Sequence, residues 1–429
     1  MLDVKDIKIY EYEKIHDDIL LKEIISLNGK NKKWSNFINI QKSTFYFKHY
    51  VGIVQIGNFR ISILPKIWTK NGKNIEETVK NLFKMLLYTY HLPSFSEPAL
   101  NISSSYEVND IFELLVLLYA NTLEKQMNEG IYRKYVRIEE ESKYIRGKLN
   151  LEKQLNRIDK SFFDITNFRF SANNDMNRYF AYSTTLFLNF TSDQKIFNML
   201  KHIEVLFRSE GVSNNSLPDH ISFNRLNERF HIPYNYADLI IKHSIPEIGN
   251  GKKTMMMLFD MNTVFQEFFI KFIMKNKSKI FPESEVKIYS QYKKKNFIFK
   301  KASAMRYTIP DLYIIIKNKD ITKTFIFDMK YKIMNDVSIE DRPEYSNDDV
   351  FRVTQSDLYQ MFTYSDLYNV NGTILVFPGA ENKISEPYQF KKEGGLLWLC
   401  MLSLDFNKDR WEEKLIEGFK EIFNKINGT

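Results

Sequence analysis

Two aspartates and a lysine have the residue types and spacing for phosphodiester hydrolysis. Asp311 follows Pro310 and opens the apolar run Leu312–Ile316, and Asp328 and Lys330 close a second run that begins at Thr324. Successive strand residues point to opposite faces, so Asp328 and Lys330 share a face while Met329 and Tyr331 point away. If the two runs pair as neighbouring strands, Asp311, 17 positions upstream of Asp328, converges with them at one edge of a sheet. Two carboxylates suit Mg²⁺, which takes one or two carboxylates plus water and substrate phosphate oxygens. A lysine beside them can orient the attacking water or offset charge developing on the phosphate. An acidic residue two before a lysine is common by itself: Asp3-Val-Lys5, Glu141-Ser-Lys143, Glu285-Val-Lys287 and Glu412-Glu-Lys414 also occur. Only Asp328-Met-Lys330 ends an apolar strand and follows a Pro-Asp that opens one, and the alternative is a pair of strand-end surface charges.

Three further groups bear on that site. Gln360 and Tyr364 lie four apart, with Asp357 on the same face of a helix, and either hold a nucleotide or brace the lysine, or are satisfied polar groups of an ordinary helix. Glu267, on the apolar-striped helix after Phe259, either binds a metal from behind the site or is a solvated surface charge. Lys293, Lys294, Lys295, Lys300, Lys301 and Arg306 precede the catalytic strands, and read either as a DNA backbone track or as a solvated hairpin. Gly249-Asn-Gly251-Lys252-Lys253-Thr254 imitates a phosphate loop but fails it, because Pro246 stands at the first glycine position and Lys253 at the Ser/Thr position. No nucleotide is expected to bind this chain.

The elements that must position these residues follow from periodicity. Val51–Ile56 and Phe59–Ile63 around Gly57-Asn58 predict a tight hairpin, followed by a helix over Glu76–Tyr90 and a Ser- and Pro-bearing linker to about residue 106. From Val108 to about residue 205 the period is helical, with helices at Asp110–Gln126 and Met176–Phe190 and a basic turn at Tyr144–Leu149. Ser209–Asp219 is a loop, and a domain boundary is placed at Pro246–Lys253. Beyond it come a helix at Asn262–Met274, strands at Val286–Tyr292, Leu312–Ile316 and Thr324–Phe327, a helix at Asp357–Tyr368, strands at Thr373–Phe377 and Leu396–Leu404, and a closing amphipathic helix. The expected architecture is α+β and multidomain: a β-rich domain over 1–100 that docks a partner, a mainly helical region over 101–250, and a nuclease domain over 251–429 with a mixed sheet flanked by helices.

Composition agrees with a folded soluble protein and removes other classes. The 429 residues are 44% hydrophobic and 27% charged, which excludes global disorder. A single cysteine, Cys400, excludes a disulfide framework, and the seven histidines form no pair at ligand spacing. The net charge of +8 permits an anionic partner. Neither a secretory leader nor an apolar run of membrane-spanning length is present, so a cytoplasmic protein with no membrane partner is expected.

Read in order, Ile63-Leu-Pro-Lys-Ile67, Ile145-Arg-Gly-Lys-Leu149, Phe259-Asp-Met-Asn262, Pro310-Asp311, Asp328-Met-Lys330-Tyr-Lys332 and Asp357-Leu-Tyr-Gln-Met361 resemble the McrC family. Its members are endonuclease subunits of McrBC-type restriction systems that act on modified (5-methylcytosine) DNA. The resemblance implies a C-terminal PD-(D/E)xK nuclease domain and Mg²⁺-dependent cleavage, with Mn²⁺ a substitute. It carries catalytic roles to Asp311, Asp328 and Lys330, and likens Gln360 and Tyr364 to the Q-xxx-Y element of RecB-like relatives. It implies as partners double-stranded modified DNA and a hexameric AAA+ GTPase, McrB, whose hydrolysis the subunit stimulates. Gln266 stands where an acidic residue is expected after Phe265, and Glu267 is the candidate replacement. A stand-alone repair-type nuclease and a non-catalytic adaptor that activates the motor are the competing readings; the intact Asp311, Asp328 and Lys330 set argues against the adaptor.

Overall fold

The computed structural model describes residues 5–30, 32–71, 75–92, 110–249, 252–282, 284–293, 295–300, 303–318, 321–332, 353–379, 381–391, 394–406 and 410–428. It is a mixed α+β structure. The segment read as a linker before residue 106 falls largely outside the described residues.

The predicted N-terminal hairpin forms as Tyr50–Ile56 and Phe59–Leu64, turning at Gly57 with φ +56°. It belongs to a five-stranded sheet ordered Lys5–Tyr10, Phe59–Leu64, Tyr50–Ile56, Lys252–Asp260, Ser244–Gly249. The boundary expected at Pro246–Lys253 is therefore an antiparallel hairpin, with Met255 opposite Pro246.

The chain divides into two compact units that do not follow consecutive blocks such as 1–100, 101–250 and 251–429. One comprises residues 1–5, 53–60 and 95–257; the other comprises 6–52, 61–94 and 258–429. The first unit packs the helices Ile111–Asn128, Asp175–Leu188, Gln194–Ser209 and His231–His243. Tyr119, Phe112 and Phe187 form its aromatic centre, and the Tyr119 hydroxyl donates to the Phe180 carbonyl at 3.0 Å. The helical period expected there, with its basic turn at Tyr144–Leu149, is interrupted by a three-stranded sheet of Lys134–Ser142, Phe163–Ser171 and Lys148–Leu149. Its strands are rich in charge, and Arg169–Glu140 (3.0 Å) crosses between them, as does the ring pair Tyr135–Phe170.

The second unit is built on a seven-stranded mixed sheet. Glu285–Ser290, Leu312–Asn318 and Ile321–Met329 are antiparallel neighbours; Ile321–Met329, Gly372–Gly379 and Leu396–Ser403 are parallel. Lys383–Ile384 and Tyr388–Gln389 pair with Leu396–Ser403. Both faces are covered, which explains the continuous apolar runs in its central strands. Ile326, Leu375, Phe377, Leu397 and Leu399 pack with Met361, Tyr364 and Tyr368 of the helix Gln355–Tyr368. On the opposite face Phe327 meets Phe423 of the helix Trp411–Gly428, and Phe419 of that helix meets Phe269 of the helix Met261–Lys275. N-terminal residues are part of this unit: the Trp68 indole donates to the Leu404 carbonyl at 2.8 Å, and Lys271 to the Thr89 carbonyl at 2.6 Å. Among the described residues no helix is long and apolar enough to cross a membrane.

Candidate active site

The antiparallel register that pairs Leu312 with Phe327 brings Asp311, one residue before its strand, beside Asp328. Asp311 Oδ2 accepts the Met329 N–H at 2.9 Å, locking the carboxylate to the neighbouring strand. Strand alternation then puts Asp328 and Lys330 on the face covered by the helix Gln355–Tyr368. Lys330 Nζ lies 2.7 Å from Asp328 Oδ2 and donates to Gln360 Oε1 at 2.8 Å. Gln360 Nε2 donates to the Tyr364 hydroxyl at 2.9 Å, and that hydroxyl donates to the Ile309 carbonyl at 2.9 Å. The five residues singled out in sequence, Asp311, Asp328, Lys330, Gln360 and Tyr364, are thus brought into one connected cluster.

The cluster is electrostatically expensive. Asp328 is 1% exposed, and Lys330 stands beside its Oδ2 as a charge partner, with no donor aligned on that oxygen in hydrogen-bond geometry. Burial pushes the Asp311 carboxyl up to about 7, the charge of Asp328 adds to the rise, and the bonds from Met329 and Gln266 only partly offset it. Burial raises Asp328 as well, against the opposing pull of Lys330. Burial works against the Lys330 ammonium, but the carboxylates of Asp328, Asp357 and Asp311 outweigh it and hold the lysine charged above its ordinary range. A buried carboxylate beside a partly buried one is a charge arrangement that a divalent cation would relieve. Among the described residues no three His, Cys, Asp or Glu side chains converge as a metal cluster. A two-carboxylate set fits Mg²⁺, which fills its remaining positions with water and phosphate oxygens, better than it fits Zn²⁺.

Glu267 does not join the pair. It faces Lys271 one turn on, at 3.5 Å, while its neighbour Gln266 donates to Asp311 Oδ1 at 2.7 Å. One residue is 100° around a helix, so only one of the two can face the sheet, and the expectation of Glu267 as a metal ligand is corrected on that geometry. The cationic run is also sorted by the fold. Lys295 Nζ donates to the Leu367 carbonyl at 2.7 Å, over the Tyr368 ring, and so caps the end of the Gln360 helix instead of facing a ligand. Lys293 Nζ lies 5.5 Å from the Tyr292 ring centre. Arg306 is exposed on the strand Ser303–Thr308, and Lys300 closes the paired strand Lys295–Lys300. Lys294 and Lys301 lie outside the described residues.

Sequence reasoning underrated two partners. Lys332 holds Asp357 at 2.8 Å, which sets the first turn of the Gln360 helix beside the site; Asp357 Oδ1 is 4.0 Å from Lys330 Nζ. Glu11 accepts the hydroxyl of Tyr331, the residue after Lys330, across 320 positions of sequence. The first had a signal in the Asp-x-Lys-x-Lys spacing; the second had none.

Residues 46–378 match the family described as McrBC 5-methylcytosine restriction system component. The chain belongs to the McrBC family. The matched span contains all five clustered residues, so the carboxylate pair and its lysine lie within the McrBC-like part of the chain. Among solved structures, a refined half-complex from a tetradecameric assembly of Thermococcus gammatolerans McrB AAA+ hexamers with bound McrC contains a chain of the same fold. It is 18% identical with TM-score 0.68, covering 97% of this chain and 100% of that one. A second McrBC structure, the cryo-EM structure of the T. gammatolerans complex, matches at 22% identity with TM-score 0.48, over 64% of this chain and 88% of that chain. No curated protein sequence matches the chain.

Proposed function

We propose that this chain is the nuclease subunit of its McrBC system, an McrC-like endonuclease that hydrolyses DNA phosphodiester bonds with Mg²⁺. The observation that carries the reading is the partly buried Asp311 beside the buried Asp328, with Lys330 held between Asp328 and Gln360. The strand order and the positions of the three residues agree with a PD-(D/E)xK arrangement. Asp311 and Asp328 would hold the cation, which when bound acidifies a coordinated water and offsets phosphate charge. Gln266 and the Met329 N–H fix both oxygens of Asp311, so that carboxylate does not need to reorient as substrate arrives. Lys330 stays protonated beside its carboxylate neighbours and places a positive charge where the phosphate gains negative charge. Gln360, itself held by Tyr364, restrains the ammonium against swinging wholly onto Asp328.

The family and the neighbouring assembly support a hexameric AAA+ GTPase of McrB type as partner and modified double-stranded DNA as substrate. GTP hydrolysis is assigned to the partner, because Gly249–Thr254 departs from phosphate-loop spacing. The test is Mg²⁺-dependent cleavage of methylated and unmethylated plasmid by the chain alone, by the chain with its AAA+ partner and GTP, and by Asp328→Ala under both conditions. Cleavage that needs partner and GTP and disappears in the variant is expected. Equal cleavage by the chain alone identifies a stand-alone nuclease. Stimulated GTP hydrolysis without cleavage identifies an adaptor, and undiminished cleavage by Asp328→Ala refutes the site.

A further inference from the structure

The strands Lys295–Lys300 and Ser303–Thr308 form a two-stranded ribbon outside the main sheet. Such a ribbon ordinarily needs one face packed to be stable. Here Phe297, Ile298, Met305 and Tyr307 are each between 46% and 53% exposed. The register shifts between Asn296 and Ile298 and again between Ile298 and Phe299, irregularities of the kind that bend a strand and re-aim its side chains. The root of the ribbon is fixed. The Tyr368 hydroxyl is shared between the Lys293 carbonyl at 2.7 Å and the Thr308 carbonyl at 3.0 Å, and Lys295 holds the end of the same helix. That helix also carries Gln360 and Tyr364.

Charge identifies the partner. Residues 286–310 contain no Asp or Glu but seven Lys or Arg, six of them besides Lys295, whose ammonium holds the helix end, in a chain with 53 acidic residues. Protein interfaces are depleted in lysine, whereas a phosphate backbone requires cations. Position agrees: Thr308 is three residues from Asp311, at most about 11 Å along the chain, or roughly three base steps of one DNA strand.

We propose that this ribbon is a DNA-inserting arm that presses Phe297, Ile298, Met305 and Tyr307 against bases beside the phosphate bound at Asp311 and Asp328, with Arg306 on the backbone. Apolar side chains inserted at a base step unstack it and bend the duplex, and aromatic rings gain by stacking on the opened bases. The inference rests on the reading of the chain as a DNA nuclease.

The test separates the two. Binding of short fluorescein-labelled duplexes, matched or with a single mismatch, is measured by anisotropy with the full-length chain in Ca²⁺ in place of Mg²⁺, and cleavage is measured separately in Mg²⁺ with the partner and GTP. The wild type should favour the mismatched duplex, whose step opens at lower cost. Met305→Ala/Tyr307→Ala should lose that preference and bind about tenfold more weakly with an unchanged salt slope, while Tyr307→Phe retains both. Arg306→Ala should lower the log–log salt slope by about 1 without changing the mismatch preference. Thermal unfolding of each variant is measured alongside, so that a change in binding is read from folded protein. Wild-type affinity and preference in the double variant overturn the arm even if cleavage is normal. Binding as predicted without cleavage under any condition overturns the nuclease reading and leaves the arm. Self-association of the wild type that the double variant abolishes, with DNA affinity unchanged, assigns the ribbon to contact between copies and overturns the proposal.

Discussion

Glu11→Gln should make the protein more stable at alkaline pH and leave it nearly unchanged in acid. Glu11 is 3% exposed. Its Oε1 accepts the Tyr331 hydroxyl and the Lys66 N–H, and its Oε2 has no hydrogen-bond partner. Burial pushes the carboxyl from its ordinary 4.5 up to about 7, and the bonds from Tyr331 and Lys66 only partly offset the rise. Between those two values the folded chain keeps a proton that the unfolded chain releases. The contribution to stability is therefore fully present below about pH 4.5 and is lost as pH rises through about 7. The gap is worth about 3 kcal/mol. Glutamine keeps the acceptor that Tyr331 and Lys66 use and removes the charge. The variant should unfold within about 1 kcal/mol of wild type near pH 5 and be more stable by about 2–3 kcal/mol near pH 8, an upper figure because its amide still needs an acceptor. Urea titrations across that range measure this as the difference between variant and wild type, so that Glu113, Asp311 and Asp328, which burial shifts in the same direction, cancel. A difference that is constant from acid to alkali would refute the reasoning. It would mean that Glu11 is ionised in the folded chain throughout and that its bond to Tyr331 outweighs the burial.

Gln360→Leu removes a neutral acceptor from a charged lysine and should slow single-turnover cleavage about tenfold to a hundredfold while Mg²⁺ affinity is retained; an unchanged rate would release Lys330 from dependence on the helix. Asp328→Asn should abolish cleavage and raise the melting temperature, because it removes a buried charge that stands beside a second, partly buried carboxylate; a lower melting temperature would mean that the Lys330 ion pair stabilises the fold more than the carboxylate repulsion costs. Gly372→Ala would place a Cβ 2.2 Å from the Trp398 ring, in a fully buried site where the indole has no room to retreat, and should lower the urea midpoint by the equivalent of about 1–3 kcal/mol. An unchanged midpoint would show that the sheet can shift there.

What the sequence reveals of this site depends on how far apart the partners lie along the chain. Asp311, Asp328 and Lys330 are legible because a strand repeats every two residues and the two strands are consecutive, so their pairing follows from neighbourhood alone. Gln360 and Tyr364 are legible for the same kind of reason, by the helical repeat. The helix Met261–Lys275 is different. Val264, Phe265, Phe268, Phe269, Ile270, Phe272 and Ile273 are all buried, so its apolar stripe is too wide to indicate whether Gln266 or Glu267 faces the sheet. Packing of that helix under Tyr331 and Phe419 makes the choice. Lys295 looks like one more solvated cation until the fold brings a helix end 72 residues away within reach of it. Glu11 has no pattern at all: it is a polar residue whose partner, Tyr331, lies 320 positions on. The residues that would hold metal and phosphate are therefore local in sequence, while those that set the charge and position of the cluster come from distant segments. A substitution in the first group can be judged from sequence, whereas the effect of one at Glu11 or Gln266 follows from geometry, which is why the pH dependence of Glu11→Gln tests the fold itself more sharply than loss of cleavage at Asp328 does.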